Sequence, residues 1–492
     1  MAYSDQEPLG KVRTKIVATI GPASREETSL HKLIQAGVDV FRLNFSHGNH
    51  ADHSEVLARI RSLSREIGKP IAVLQDLGGP KIRLGAIAGD EVECREGETF
   101  VLGDEGSPTD PHRLTSTYPG LVEDLKVGDR VLFADGVVAM VVESIDQQGA
   151  HLRVTQEGRL RSRQGINVPG AALSVSALTD KDLQDLDWTA DHPVEYVGLS
   201  FVRRPEDVLA LRKELEKRGS RARIVSKIEK PQAVDQLDAI IEQSDAVMVA
   251  RGDLGVEMDV ARVPAIQKRI IAACNRARVP VITATQMLNS METSSRPTRA
   301  EASDVFNAVL DGTDAVMLSG ETAIGHYPVE AVATMSRIVR EAEALLFGPG
   351  GSSWSAIDPR AAATARAKAG MVQPITESVV EAASLACRRL EARLLVVATH
   401  SGRTALALSK QRHATPTLAL TDDVEITRAM SLFWGVTPLF SPDIKGAEHA
   451  LTTTLEWARP RGLVTKGDLV VLISGTMPNS PIHNAMLVRE IE

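Results

Sequence analysis

A chain of 492 residues is too long for one hydrophobic core and predicts two to four domains. Its 43% hydrophobic and 24% charged content are those of an ordinary globular enzyme. The net charge of −8 argues against a nucleic acid or an anionic membrane surface as the main partner, while leaving room for a small anionic substrate held by local Arg and Lys clusters. Aromatics make up only 3%, so Val, Ile, Leu and Ala must build the cores. Cys94, Cys274 and Cys387 are scattered without a C-x-x-C pair, which fits a reducing compartment and argues against a disulfide framework or structural zinc. The opening residues lack the apolar core of a signal peptide, and no run approaches the roughly 18 apolar residues of a membrane span. The expectation is a soluble, cytoplasmic protein.

In chain order, short Val/Ile/Leu-rich runs alternate with amphipathic helices. The runs are Lys15–Ile20, Val38–Leu43, Ile71–Gln75, Glu195–Ser200, Arg223–Lys227, Ala246–Ala250, Pro280–Ala284 and Ala315–Leu318. Their continuous apolar character suits strands buried on both faces. Ser24–Glu27 and Thr298–Glu301 have the spacing of capping boxes that start helices. Eight such units predict a closed (β/α)8 barrel over residues 1–85 and 177–346. Residues 86–176 interrupt the rhythm with short strands and Gly-Asp-type turns, predicting an inserted small β-barrel. Residues 347–373 read as a Gly/Ser/Ala/Pro-rich linker. Residues 374–492 read as an open α/β domain with strands near Leu394–Ala398, Thr417–Leu420, Thr437–Phe440 and Leu469–Ile473, flanked by helices over about Thr376–Leu390 and Glu448–Trp457.

Barrels of this kind build their active sites at the C-terminal ends of the strands. Here those ends are polar: Arg42, Asn44 and Ser46 on strand two, Gln75-Asp76 then Lys81 and Arg83 after strand three, Lys227 and Glu229 on strand five, Arg251-Gly252-Asp253 on strand six, Thr285 on strand seven, and Ser319-Gly320-Glu321-Thr322 on strand eight. Alternation along a strand puts Lys227 and Glu229 on one face. Glu229 and Asp253, from neighbouring strands, could hold Mg²⁺ or Mn²⁺, which accepts few carboxylates and completes its shell with water and substrate. Cations and a metal around one pocket suit phosphoryl transfer, where catalysis is mainly positioning and charge stabilisation. The bland alternative, solvated loop starts, fits a single strand end better than six that converge on one rim. His31 and His413 read as surface histidines, Met287 and Met291 as packing residues, and Cys274 as core.

These motifs resemble the pyruvate kinases. The segments are Thr14–Ser24 (TKIVATIGPAS), Phe41–Gly48 (FRLNFSHG), Ser226–Glu229 (SKIE), Met248–Gly255 (MVARGDLG), Ala284–Leu288 (ATQML), Arg296–Glu301 (RPTRAE) and Met317–Thr322 (MLSGET). They occur in that family's order over essentially the whole chain. The resemblance implies transfer of the phosphoryl group of phosphoenolpyruvate to ADP, followed by protonation of the enolate. It assigns the divalent metal to Glu229 and Asp253, phosphoryl charge stabilisation to Lys227 and Arg42, and the substrate carboxylate to Gly252, Asp253 and Thr285. It assigns the nucleotide side to Asn44, Phe45, Ser46, His47, Arg83 and Arg204, and a lid function to the inserted domain, with Asp135 at its tip. Arg204 stands where many relatives carry Lys, which changes its geometry though not its charge.

A departure concerns monovalent cations. Many relatives hold K⁺ with residues matching Asn44, Ser46 and Asp76, a Thr, and a Glu four positions beyond it; here the last two are Leu77 and Lys81. The chain thus resembles the K⁺-independent branch, with Lys81 as surrogate cation. The family also implies a phosphorylated effector, such as a sugar phosphate or AMP, at Thr399, Ser401, Gly402, Arg403 and Thr404, aided by Arg461 and the Ser474–Ser480 loop, in a homotetramer. A metal-dependent aldolase or lyase on the same barrel, or a non-catalytic sugar-phosphate sensor, is the competing expectation; neither calls for an inserted lid together with an intact Lys227, Glu229, Asp253, Arg42 and Thr285 set.

Overall fold

The computed structural model describes residues 12–104, 109–171, 174–348, 372–442, 444, 446–475 and 482–492. Most of the expected linker and most of the Ser474–Ser480 loop lie outside the described residues. The eight expected barrel strands form at Lys15–Ile20, Val40–Asn44, Ala72–Asp76, Tyr196–Leu199, Arg223–Ile228, Ala246–Ala250, Val281–Ala284 and Ala315–Leu318. They close into one parallel barrel in chain order. Strand two starts later than expected because Gly37, at φ 124°, ends the preceding helix Glu27–Ala36, and Val38 still bonds back to Leu33.

Alternation sorts each strand into two environments. Val17, Val40, Ala72, Leu74, Tyr196, Val225, Met248, Ile282 and Met317 fill the barrel interior. Ile16, Phe41, Leu43, Val73, Ile224, Ile228, Val247 and Leu318 pack outward against the helices. That parity carries upward to the mouth. Arg42 and Asn44 follow Val40, Asp76 follows Leu74, and Lys227 follows Val225, so all four continue the inner face.

The Thr298–Glu301 capping box forms, with both reciprocal bonds, at the start of helix Arg299–Leu310. The one expected at Ser24–Glu27 does not. The helix begins at Glu27 itself, so Glu27 is its first residue rather than its third, and the Ser24 hydroxyl instead accepts from the Gly21 N–H. A capping box that the sequence reading missed, Thr179 with Asp182, starts helix Asp180–Asp191. Asp182 also accepts the Gly79 N–H at 3.1 Å and so anchors the loop after strand three.

The inserted segment has its own apolar core around Phe100, Phe133, Met140, Leu152 and Leu160. Its strands form an open six-stranded sheet and a separate two-stranded one rather than one closed ring, and a short helix, Leu121–Asp124, interrupts them. Ile82, Leu84 and Ile87 contribute to that core.

The C-terminal unit is a five-stranded sheet ordered Val436–Phe440, Thr417–Thr421, Leu394–Ala398, Leu469–Ser474 and Ala485–Glu490. The last strand is antiparallel and was not foreseen. Nor was helix Val424–Ala429, which is too short to show a period. This unit meets the barrel at the N-terminal ends of its strands. Tyr196 Oη donates to the Ala429 carbonyl at 2.6 Å, Lys15 Nζ to the Val436 carbonyl at 2.8 Å, and Asp314 receives Lys410 at 2.6 Å and Arg412 at 2.9 Å. The C-terminal unit therefore plugs the end opposite the mouth.

His413, expected at the surface, is only 5% exposed. Burial pushes its imidazole down to about 4. The unfolded chain therefore takes up a proton that the folded chain refuses, and stability falls as pH drops from about 6.5 towards about 4. Urea unfolding at pH 7.5 and pH 5 should show the native chain losing about 2 kcal/mol more than His413→Gln over that interval. Equal losses would contradict this.

Candidate functional site

The mouth is organised by a carboxylate. Asp76, 1% exposed at the end of strand three, takes Arg42 Nε at 2.6 Å on Oδ2 and faces Lys227 Nζ at 3.3 Å with Oδ1. The second contact is an ion pair without hydrogen-bond geometry, so Oδ1 has no hydrogen-bond donor. Burial alone would raise this carboxyl; Lys227 and Arg42 overcome it and hold the group below the usual carboxylate range. Arg42 also donates to the Thr19 hydroxyl at 3.1 Å.

Lys227 Nζ bonds to Glu229 Oε1 at 2.9 Å and to Ser200 Oγ at 2.7 Å. Burial works against its charge, but Asp76 and Glu229 outweigh it and the ammonium holds its proton more tightly than a free lysine. Glu229 is 1% exposed and accepts the Phe201 N–H at 2.8 Å. Its affinity for protons is raised, first by burial and also by the nearby negative charge of Asp253. A divalent cation shared by these two carboxylates would relieve that repulsion, so their hard oxygens fit Mg²⁺ or Mn²⁺. Among the described residues no group of three or more His, Cys, Asp and Glu could hold a metal. Two carboxylates suit Mg²⁺, which ordinarily completes its shell with water and substrate oxygens.

Strand six runs directly into helix Arg251–Glu257, with Gly252 and Asp253 in its first turn. Arg251 points away from the rim, to Asp304 at 2.6 Å and the Thr285 carbonyl at 2.6 Å. Thr285 Oγ1 accepts the Gly252 N–H at 2.7 Å and donates to the Ala284 carbonyl at 2.6 Å, which ties the ends of strands six and seven together. Thr285 has φ 67°, Gln286 φ 53° and Phe201 φ 56°. A left-handed conformation is costly for a β-branched residue and gathers at functional rims.

Asn44 Oδ1 accepts the Ser46 N–H at 3.1 Å, and Ser46 and His47 are exposed. Phe45 falls on the opposite parity. Its ring is 2% exposed, stacked on His53 at 4.1 Å and edge-on to Trp188 at 5.0 Å, so the ring cannot reach a ligand. Arg83 bridges to Gly165 in the inserted domain and donates to the Arg163 carbonyl at 3.3 Å.

A groove lies between the barrel and the inserted domain, lined by Lys81, Asp135, Phe201, Arg203, Lys230 and Asp253 among others. Arg203, not Arg204, lines it. Arg204 is 59% exposed and 3.6 Å from Asp207, at the start of helix Pro205–Lys217. Arg203 was missed because a strand-end pattern cannot choose between adjacent basic residues, and Lys230 because it lies off the alternation that singles out Lys227 and Glu229. Asp76 was noticed at its strand end, but only its parity with Leu74 reveals it as the common partner of Arg42 and Lys227.

In the C-terminal unit, Thr399 Oγ1 accepts the Gly402 N–H at 3.1 Å, while Ser401 and Arg403 are exposed. The Thr404 hydroxyl is buried against His483 Nδ1 at 3.1 Å. Arg461 stands over Trp457, 4.5 Å from its ring centre, and donates to that residue's carbonyl.

Residues 11–332 match the family model described as the pyruvate kinase barrel domain, and residues 377–488 the one for its alpha/beta domain. Pyruvate kinase 2 of Synechocystis sp. is 43% identical over 94% of this chain and 77% of its own length. The pyruvate kinase of Clostridium acetobutylicum is 40% identical over 98% of this chain and 100% of its own. The crystal structure of a pyruvate kinase from Cryptosporidium parvum superposes with a TM-score of 0.90 at 32% identity, covering 98% of this chain and 97% of that one. With the barrel, the inserted sheet, the C-terminal unit and the charged mouth all in place, the chain belongs to the pyruvate kinase family and is a phosphotransferase of phosphoenolpyruvate and ADP.

Proposed function

We propose that the reaction runs over the mouth defined by Arg42, Lys227, Glu229 and Asp253, and the observation that carries this is Lys227 Nζ seated between Asp76 and Glu229. Arg42 and Lys227 bind the phosphoryl group of phosphoenolpyruvate, and Gly252, Asp253 and Thr285 orient its carboxylate. Glu229 and Asp253 hold Mg²⁺ or Mn²⁺, which supplies Lewis-acid neutralisation of substrate and phosphoryl oxygens. The phosphorus–oxygen bond to the enol breaks as a bond forms to the terminal phosphate oxygen of ADP, with Lys227 and Arg42 countering charge on the group in flight. Thr285 lies by the path on which the enolate carbon gains its proton. ADP lies along Asn44, the backbone of Phe45, Ser46, His47 and Arg83, with Arg204 at the outer edge. Asp135 is carried on the inserted domain, whose closure would exclude water from the transferring group.

Lys81 takes the place of K⁺. Its position on the groove supports this reading. A phosphorylated effector, a sugar phosphate or AMP, binds the exposed Ser401 and Arg403 together with Thr399, Gly402, Thr404 and Arg461. The protein works as a cytoplasmic homotetramer. Among the described residues no helix is long and apolar enough to cross a membrane. The C-terminal edge strand, with Met486 40%, Leu487 40% and Val488 38% exposed, supports assembly between subunits.

Two measurements test these roles, each coupling pyruvate formation to lactate dehydrogenase. Glu229→Gln should lower kcat at least about a hundredfold and weaken the apparent Mg²⁺ affinity at unchanged circular dichroism; native turnover in that variant would refute the metal assignment. In tetramethylammonium buffer, added K⁺ should change the native rate by less than about tenfold, whereas Lys81→Glu should acquire a dependence of about tenfold or more. Strong K⁺ dependence of the native protein would remove the surrogate role of Lys81.

A further inference from the structure

Glu257 ends the short helix that carries Asp253, and it is 3% exposed. A carboxylate is disfavoured there twice over. Burial opposes its charge, and the C-terminal end of a helix is already electronegative. One of its oxygens, Oε2, is buried without a hydrogen-bond partner. The other, Oε1, takes two donors from different parts of the molecule: Lys230 Nζ from the barrel at 2.5 Å and Asn167 Nδ2 from the inserted domain at 3.1 Å. A residue concerned only with core stability would be better replaced by an apolar one of the same volume.

The two donors show what the carboxylate connects. Lys230 directly follows Glu229 in sequence, and its ammonium lies 5.5 Å from the centre of the Phe201 ring, whose own N–H bonds to Glu229. A second contact between the inserted domain and the barrel, Gln232 Nε2 to the Ala171 carbonyl at 3.3 Å, lands on the same short segment. The Gln232 contact therefore anchors the inserted domain three residues from Glu229, and the Asn167 contact anchors it on Glu257, which belongs to the helix of Asp253 and pairs with Lys230.

We propose that Glu257 is a positioning residue, a latch that fixes the inserted domain through Asn167 and ties its position, through Lys230 and its own helix, to the Glu229–Asp253 pair. The consequence for catalysis rests on the reading that this pair is the working centre. The latch itself does not, because it is read out as domain position. When Asn167 lets go, Lys230 and Glu257 stay paired and the barrel is unchanged, but the inserted domain samples wider positions over the groove.

The test uses spin labels on Val127→Cys in the inserted domain and Val260→Cys in the barrel, 65% and 72% exposed and outside the site. The native cysteines Cys94, Cys274 and Cys387 are all buried. Double electron–electron resonance distances are compared in the otherwise native chain and with Asn167→Ala or Asn167→Asp added. Asn167→Ala should broaden the distribution towards longer distances and lower kcat/KM for phosphoenolpyruvate about tenfold, the scale of one lost hydrogen bond to a buried charge. Asn167→Asp keeps the shape but sets a second carboxylate against Glu257, so it should be at least as impaired; a merely space-filling Asn167 would leave it native-like. The inference is overturned if either variant keeps the native distance distribution, or if both keep kcat/KM within about twofold of native. A failure of the metal assignment would appear separately, as native turnover in Glu229→Gln.

Discussion

The buried carboxylate of Asp76 is the interaction on which the mouth depends. Two cations, Arg42 and Lys227, are held at the top of the barrel interior, and both lean on this one group. Without it, bringing a guanidinium and an ammonium together in a poorly solvated space would cost several kcal/mol. With it, both are held in place at the top of the barrel. Lys227 retains its proton because Asp76 and Glu229 outweigh desolvation. A pre-set cationic floor is what phosphoryl transfer requires, since its catalysis lies in charge already in place rather than in charge recruited during the reaction.

The two ends of the barrel divide the work. At the N-terminal ends of the strands, Asp314 joins Lys410 and Arg412 while Tyr196 and Lys15 bond to backbone carbonyls of the C-terminal unit. These contacts are buried and fasten the C-terminal unit to the barrel, although Arg412 Nε and Nη1 have no hydrogen-bond partner. The mouth carries costs of its own. Thr285, Gln286 and Phe201 are held at positive φ, Glu229 and Asp253 repel each other, and Asp76 Oδ1 and Glu257 Oε2 lack hydrogen-bond donors. Such costs are sustained only where the surrounding barrel over-determines the backbone.

Much of this was legible from alternation alone. The eight strand positions follow from apolar runs, and the inward set of Arg42, Asn44, Asp76 and Lys227 follows from counting by twos from Val40, Leu74 and Val225. The same count excludes the Phe45 ring, although the family motif includes that residue. What sequence could not supply were features set by neighbours distant in the chain. His413 looks like a loop histidine, yet it is buried. Ser24–Glu27 has the spacing of a capping box, yet its helix starts two residues later than that pattern needs. Arg203 and Arg204 are indistinguishable as text; the turn into helix Pro205–Lys217 decides which faces the groove. The edge strand Ala485–Glu490 owes its place to pairing with Leu469–Ser474 rather than to its own composition.

The central claim is that Asp76 and Lys227 act as one unit. A double-mutant cycle on kcat/KM for phosphoenolpyruvate, with Asp76→Asn, Lys227→Met and their combination, measures this directly. Strong coupling is predicted: once Lys227 is gone, removing the Asp76 charge should cost far less than in the native chain, with an interaction energy above about 1 kcal/mol. Additivity within about 0.5 kcal/mol would mean that the two groups act independently and would contradict the account.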